Sequence, residues 1–541
     1  MRFIAVTGRF SRLALAAGLV GVLLVAAPAA AATSGSGLYL AGAGDGHGIG
    51  MSQYGAAGYA LHGASYPQIL RDYYAQTTLG HVSPTRLVTV LLRPTGAAVF
   101  SGATAIKGWS VHKLDPAFNY SVERAGPKLR VVLGRHLIGN FTAPLQVTGP
   151  GPLTLDGLGA YRGSLVFRQA ANGVGVMTVN AVGLDDYVRG VVSAEMPSTW
   201  PQQALDAQAV AARTYAITSP AIGADFDVYD NQRSQMYEGV KAETPASNAA
   251  VAATSGQVVE YDGRPVETFF FASSGGQTES VQNVFQMAPE AWLVSRPDPY
   301  DDSMSNPYHR WKMSFSLKAA RAKLGSLVKG SLEGIRILQR GVSPRIVKAQ
   351  VVGTGGAVTV SGAQLRKALG TPSTWIKFTT VSARGVETST TPAGTTTLPA
   401  GTRTGTTTTG TTTTPPTGGG PLVRIASILH PIARALGLLQ FAGTQPRGAL
   451  GPLRFAGIGA SGSLGVLRFD RIHIRRYAVT GTVFPSVRGS TVTVQRNRGS
   501  GWRRVATGPA EAGGRYSIRV PHPGSYRVLY HGTIGPKITV S

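Results

Sequence analysis

The stretch 388–420, TSTTPAGTTTLPAGTRTGTTTTGTTTTPPTGGG, restricts this chain more than any other. It is threonine, proline and glycine with almost no large apolar side chain. Such a segment has nothing to bury that would offset the entropy of ordering it. It reads as a linker over 387–421, and it divides the 541 residues into separate folding problems. The organisation predicted is a signal segment 1–32, an α+β domain 36–386, the linker, short repeats 422–476 and a small all-β sandwich 477–541.

The first residues set the compartment. Arginines stand at 2, 9 and 12, an apolar run follows from Leu13 to Ala27, and alanines come next. That is the pattern of a cleaved export signal, with cleavage expected after one of Ala30 to Ala32. The apolar run is short for a membrane span, which favours cleavage over a retained anchor. A secreted, wall-associated protein is therefore expected. The formal net charge is +26, so polyanions are the natural partners. Export argues against nucleic acid and leaves anionic wall polymers or a membrane surface. The chain has no cysteine, which excludes disulfides and thiolate metal sites.

Between 85 and 180 short alternating runs such as RLVTVLLR, KLRVVLG and GSLVFRQ are punctuated by glycine and proline, the signature of antiparallel strands. Helical patterns follow. VGLDDYVRGVV predicts a short helix with Asp185 or Asp186 in its first turn. PSTWPQQALDAQAVAARTYAIT predicts a stronger one, with Thr199 as cap, Pro201 in the first turn and Gln202 completing a capping box. GAQLRKALG predicts a further helix, among strands that resume after residue 256. Beyond the linker, ALGLLQFAGTQPRG, ALGPLRFAGIGASG and SLGVLRFDRIHIRR repeat with a period of 14. The tail alternates and turns every eight to twelve residues, as a β-sandwich does. Residues 422–541 hold seventeen Lys and Arg against two Asp and Glu.

Two stretches carry candidate chemistry. GDGHGIGMSQYGA, 44–56, is a glycine-rich loop. No G-K-[ST] follows it and no dinucleotide-type unit surrounds it, so it is a poor phosphate cradle. His47 has no partner at metal-ligand spacing. A tight turn with a hydrogen-bonded histidine accounts for the loop on its own chemistry. In VVSAEMPSTWPQQ, Pro197 holds Met196 extended. Glu195 then sits on a short, stiff connection between two helices, where an acid is held in place. The other reading of Glu195 is a carboxylate favoured by the dipole of the next helix.

The segment VNAVGLDDYVRGVVSAEMPSTWPQQALDAQAVAARTYAI resembles the stage II sporulation protein D / LytB family. The resemblance continues through DNQRSQMYEG, FFFASSGGQTESVQNVF and ILQRGVSPRIVKAQVVGTGGAVTVSGAQLRKALG, and covers roughly 44–383. GHGIGMSQYGAAGYALHG is also a family block. In the sporulation protein it closes the domain; here it opens the mature chain, a permuted arrangement that requires the ends of the domain to lie close together. The loop would then line a saccharide cleft, its glycines admitting a sugar ring, with His47 and Gln53 offering hydrogen bonds.

The resemblance implies a lytic transglycosylase that cleaves peptidoglycan glycan strands and leaves 1,6-anhydro ends. It assigns the general acid/base role to Glu195. Ordinary glycosidases need two carboxylates; here the substrate's C6 hydroxyl is the nucleophile and one acid suffices. That acid needs a raised pKa, hence apolar cover from residues such as Met196 and Trp200. Substrate-binding candidates are Arg213, Gln235, Tyr237, Ser273, Ser274, Gly275, Gly276, Tyr308 and Arg310, besides His47 and Gln53; the plain alternative for Arg213 is a structural ion pair. Some relatives hold zinc with histidine and cysteines at the S-x-x-G-G segment. FFFASSGGQT has none of these, so no metal and no cofactor are expected. Other relatives enhance an N-acetylmuramoyl-L-alanine amidase, so the alternative is a non-catalytic protein that binds glycan or a cell-wall amidase.

Overall fold

Strand Val176–Gly183, VMTVNAVG, is buried at every position but its last. Even its polar Thr178 and Asn180 are fully buried, as in a strand covered on both faces. It lies between Leu87–Arg93 and Ser164–Gln169 in a six-stranded sheet, antiparallel to both. The computed structural model describes residues 34–96, 98–108, 113–219, 225–285, 287–390 and 474–541. The expected signal segment and nearly all of the linker and 14-residue repeats lie outside them. The architecture is α+β.

The central strand runs directly into α3, Leu184–Glu195, the third helix after α1 (Gln53–Leu61) and α2 (Tyr66–Tyr73). Leu184, Tyr187, Val188, Val191 and Val192 recur at helical spacing and are all buried, so α3 presents one apolar stripe to the core. Asp185 and Asp186 occupy its first turn. It stops at Met196, which is extended at φ −134°, ψ 130° ahead of Pro197. The next helix, α4, spans Gln202–Thr218 and is buried continuously from Ala204 to Thr214. A helix buried all round is an internal one; α1, α2 and α3 pack around it. Its alanines permit the close approach, while Leu205 and Val210 supply roughly 1.5–3 kcal/mol each on burial. The cap differs from the expectation. Pro201 is the N-cap, with no side-chain hydrogen bond, because the helix begins at Gln202 and leaves Thr199 too far upstream to serve.

The N-terminal strand Ser34–Ala43 lies inside a five-stranded sheet, between Trp311–Ser316 and Trp375–Thr390. Ser34 pairs with Arg384 and Ala43 with Trp375. The first described strand and the strand that ends at Thr390 are thus neighbours in one sheet. From this sheet the chain turns through 44–50 and enters α1.

The sheet continues beyond the boundary drawn at the linker. Trp375–Thr390 is followed in strand order by Ile474–Phe484 and then Arg515–Val520. A four-stranded sheet of Thr491–Asn497, Trp502–Pro509, Gly524–Tyr530 and Thr533–Val540 completes the C-terminal region. Val381 and Ala383 share one apolar core with Val479, Val492, Tyr526 and Ile538. The C-terminal strands therefore form a sandwich, but one of its sheets is shared with the preceding domain. Sequence patterning cannot reveal this, since strand pairing across more than eighty intervening residues leaves no local trace.

Candidate active site

Glu195 closes α3, and three elements converge on it. Its Oε1 accepts the Met236 N–H at 2.6 Å. Its main-chain oxygen accepts from Gln53 Nε2 at 3.2 Å, and the same amide lies 3.4 Å from Gln208 Oε1 on α4. Met196 is buried beside it and Trp200 is partly covered. Burial pushes the Glu195 carboxyl above its ordinary range, while the Met236 N–H and the Gln53 side chain pull it back. Its position at the C-terminal end of α3 also disfavours the anion. The sequence suggested the opposite dipole effect, because it could not show which helix end the residue occupies.

Trp200, five residues after the acid, belongs to a row of aromatic rings. Trp200 lies 4.8 Å from the Tyr54 ring, and Tyr54 lies 6.3 Å from Tyr308, which is 37% exposed. Gln53 and Tyr54 are placed by the start of α1. Ser52 caps that helix by accepting the Gly55 N–H, and it donates to Asp301 Oδ1 at 3.1 Å.

Asp301 is the hub behind this surface and is fully buried. Besides Ser52 it accepts from Ser273 Oγ, the N–H groups of Ser274 and Gly275, and Asn306 Nδ2. His309 Nδ1 lies 2.9 Å from it. Neighbouring Asp298 is also buried, and burial together with Asp301 pushes its carboxyl up to about 7. Sequence reasoning missed Asp298 and Asp301; the signal available was the cluster of three acids in DPYDD, 298–302.

Several candidates serve the frame and do not face a cleft. His47 Nδ1 accepts the Ile49 N–H, so Nε2 carries the proton and donates to Phe270 O at 3.1 Å. Its ring lies among Phe269, Phe271 and Phe285, and burial lowers its pKa to about 3. It is a neutral structural histidine with both nitrogens engaged. The loop glycines admit protein and not sugar. At Gly50, φ +75°, a Cβ would stand 2.0 Å from Phe269 O, and at Gly48, φ +93°, 2.4 Å from Arg345 Nε.

Arg213 is fully buried and donates to Asp185 Oδ1 at 2.6 Å and Gln257 O at 3.1 Å. It is the structural ion pair between α3 and α4. Gln235 Nε2 donates to Tyr187 Oη and Ala212 O, and the Tyr237 hydroxyl donates to Asn180. The SQMYEG segment thus serves Glu195 through its backbone, not through these side chains. Ser273 is held by Asp301, and Ser274 Oγ accepts the Gly276 N–H. Gly275 and Gly276 take φ +71° and +104° in the same corner, and Arg310 donates to Gly275 O. Of the sequence candidates, Gln53 touches Glu195 and Tyr308 extends the aromatic surface. The donor set does not suit zinc. Position 272 is alanine, the two serine hydroxyls are already engaged, and no group of three acids and histidines among the described residues is placed to hold a metal.

Residues 172–261 match the family model described as Stage II sporulation protein. A protein of Brachyspira hyodysenteriae is 40% identical over 138 residues, covering 25% of this chain and 37% of that one. Stage II sporulation protein D of Bacillus subtilis is 30% identical over 210 residues, 36% of this chain and 59% of its own. The protein named amidase enhancer from the same organism is 33% identical over 144 residues, 27% and 19%. The chain thus spans less than two thirds of the length of each of these relatives. Glu195 and Arg213 fall inside the matched segment, and the family resemblance read from the sequence is borne out.

Proposed function

We propose that this chain, whose residues 172–261 match the Stage II sporulation protein family model, is an exported lytic transglycosylase acting on the glycan strands of peptidoglycan, with Glu195 as its single general acid and base. The observation that carries this reading is the half-buried Glu195 carboxyl at the end of its helix, which accepts the Met236 N–H and has its pKa raised by burial. Met236 occupies Oε1 and leaves Oε2 to carry the proton. Glu195 donates that proton to the glycosidic oxygen as the C1–O bond breaks. The C6 hydroxyl of the same sugar attacks C1, and its proton returns to Glu195. Protons balance over the cycle, no water is consumed, and the product carries a 1,6-anhydro ring. The two halves need opposite states of one carboxyl. Burial favours the acid, and the Met236 N–H steadies the anion that follows. Trp200, Tyr54 and Tyr308 offer ring faces for the sugars on either side.

The likeness to an amidase enhancer supports a second reading, in which the domain binds glycan and stimulates a cell-wall amidase without cutting. One experiment separates the two. Purified glycan strands are incubated with the protein and the products weighed by mass spectrometry. Anhydromuramic ends are expected from the wild type and none from Glu195→Gln, whose Oε1 still accepts the Met236 N–H and preserves the fold. Equal cleavage by Glu195→Gln would refute the assignment. Intact strands in both cases, with an amidase accelerated, would favour the second reading.

A further inference from the structure

The N-terminal sheet has two unlike faces. Leu38, Leu40, Ile376 and Phe378 point into a hydrophobic core. Residues alternate across a strand, so the other face carries Tyr39 and Ala41 flanked by Lys312 and Ser314 on one side and Trp375, Lys377 and Thr379 on the other. The register fixes this: Ala41 pairs with both Lys312 and Lys377. The two lysines stand two strand spacings apart, about 10 Å. Both are exposed, and neither has an acidic partner among the described residues.

This face is concave. A cleft of about 620 Å³ is lined by Arg310, Trp311, Lys312, Arg340, Trp375 and Lys377, among others. A second, of about 440 Å³, continues from Ala41, Lys312 and Lys377 past Tyr39 and Thr379 to the turn His531–Ile534 of the C-terminal region. No acidic side chain lines either. The groove thus runs from the Gly275 corner, where Arg310 is anchored, to the C-terminal sandwich.

We infer that this groove binds a phosphate-bearing saccharide polymer, with Lys312 and Lys377 on successive phosphates. The choice of anion follows from which cations are free. The Arg310 guanidinium donates to Gly275 O and His309 O, and Arg340 to Pro344 O and Ile376 O. Arg310 thereby spends one terminal nitrogen and Arg340 both on main-chain oxygens, and the Arg310 guanidinium lies 5.6 Å from the Trp375 ring. The groove cations with no partner among the described residues are the two lysines, compact ammonium groups that bind phosphodiesters as point charges. The excess of arginine in the tail suggests instead that the tail alone holds the anion; the structure puts the unpaired lysines and the concavity on the shared sheet.

The inference does not depend on Glu195. Binding of a glycosylated poly(glycerol phosphate) to the full chain is measured at low salt, with neutral dextran and phosphatidylglycerol vesicles as separate arms. Lys312→Glu with Lys377→Glu should weaken polymer binding on the order of tenfold. The exposed tail pair Arg503→Glu with Arg504→Glu should leave it within twofold, and Glu195→Gln should not alter it. Polymer binding and a selective loss in the groove variant support the site. Equal or greater loss in the tail variant, equal binding of dextran, or binding to vesicles alone would overturn it.

Discussion

Two buried charges behave differently from one another and can be tested singly. Asp298 has a folded pKa near 7 against an ordinary 3.8. Between those values the folded protein keeps a proton that the unfolded chain has lost. Its contribution to stability is therefore fully present below the lower value and is lost as pH rises through the upper one. Asp298→Asn should flatten the fall of Tm with pH over that window; an unchanged slope would assign it to other groups. Arg213 is fully buried on Asp185. Arg213→Met strands that carboxylate and should cost about 3 kcal/mol, read as a lower Tm, while the protein that remains folded still makes anhydro ends. Loss of cleavage at unchanged Tm would instead give Arg213 a role on the substrate.

At the scale of elements, α1 decides whether Gln53 reaches Glu195. The helix approaches so closely at Gly55 that a Cβ there would meet Tyr73 Oη at 2.0 Å and Asp298 Oδ2 at 2.3 Å. Gly55→Ala must push the helix off its seat or displace a buried acid. Overpacking of this kind costs about 1–3 kcal/mol. Since Gln53 rides on the same helix, thermal unfolding should shift downward and glycan cleavage should fall with it. A variant as stable and as active as the wild type would mean that the contact relaxes without consequence.

Across the whole molecule, the shared sheet joins regions that composition separates. Ending the chain at residue 390 removes Ile474–Phe484 from its place beside Trp375–Thr390 and uncovers Val381 and Ala383. An open strand edge with exposed apolar residues is an aggregation template. The truncated protein should melt lower and aggregate on heating, as followed by calorimetry and light scattering. A truncated chain with unchanged Tm would show the two regions to be independent, as a tethered tail would be.

The sequence by itself determined what short-range chemistry determines. Apolar spacing in 184–195 and the alanines of 202–218 specified α3 and α4; Pro197 marked the stop between them; and the motif around Glu195 carried the family. Alternation specified the strands of 85–180 and of the tail. Tertiary structure decided everything that depends on a partner far along the chain. His47 is neutral because the fold buries its ring among Phe269, Phe271 and Phe285, more than two hundred residues away. Arg213 belongs to Asp185, and Gln235 and Tyr237 turn inward while the intervening Met236 N–H reaches the acid. Asp301 became visible only when residues 52, 273–275, 306 and 309 met around it. Local pattern records which face a residue prefers to bury, but a hydrogen bond or an ion pair needs a second atom within about 3 Å, and only the folded chain brings that atom there.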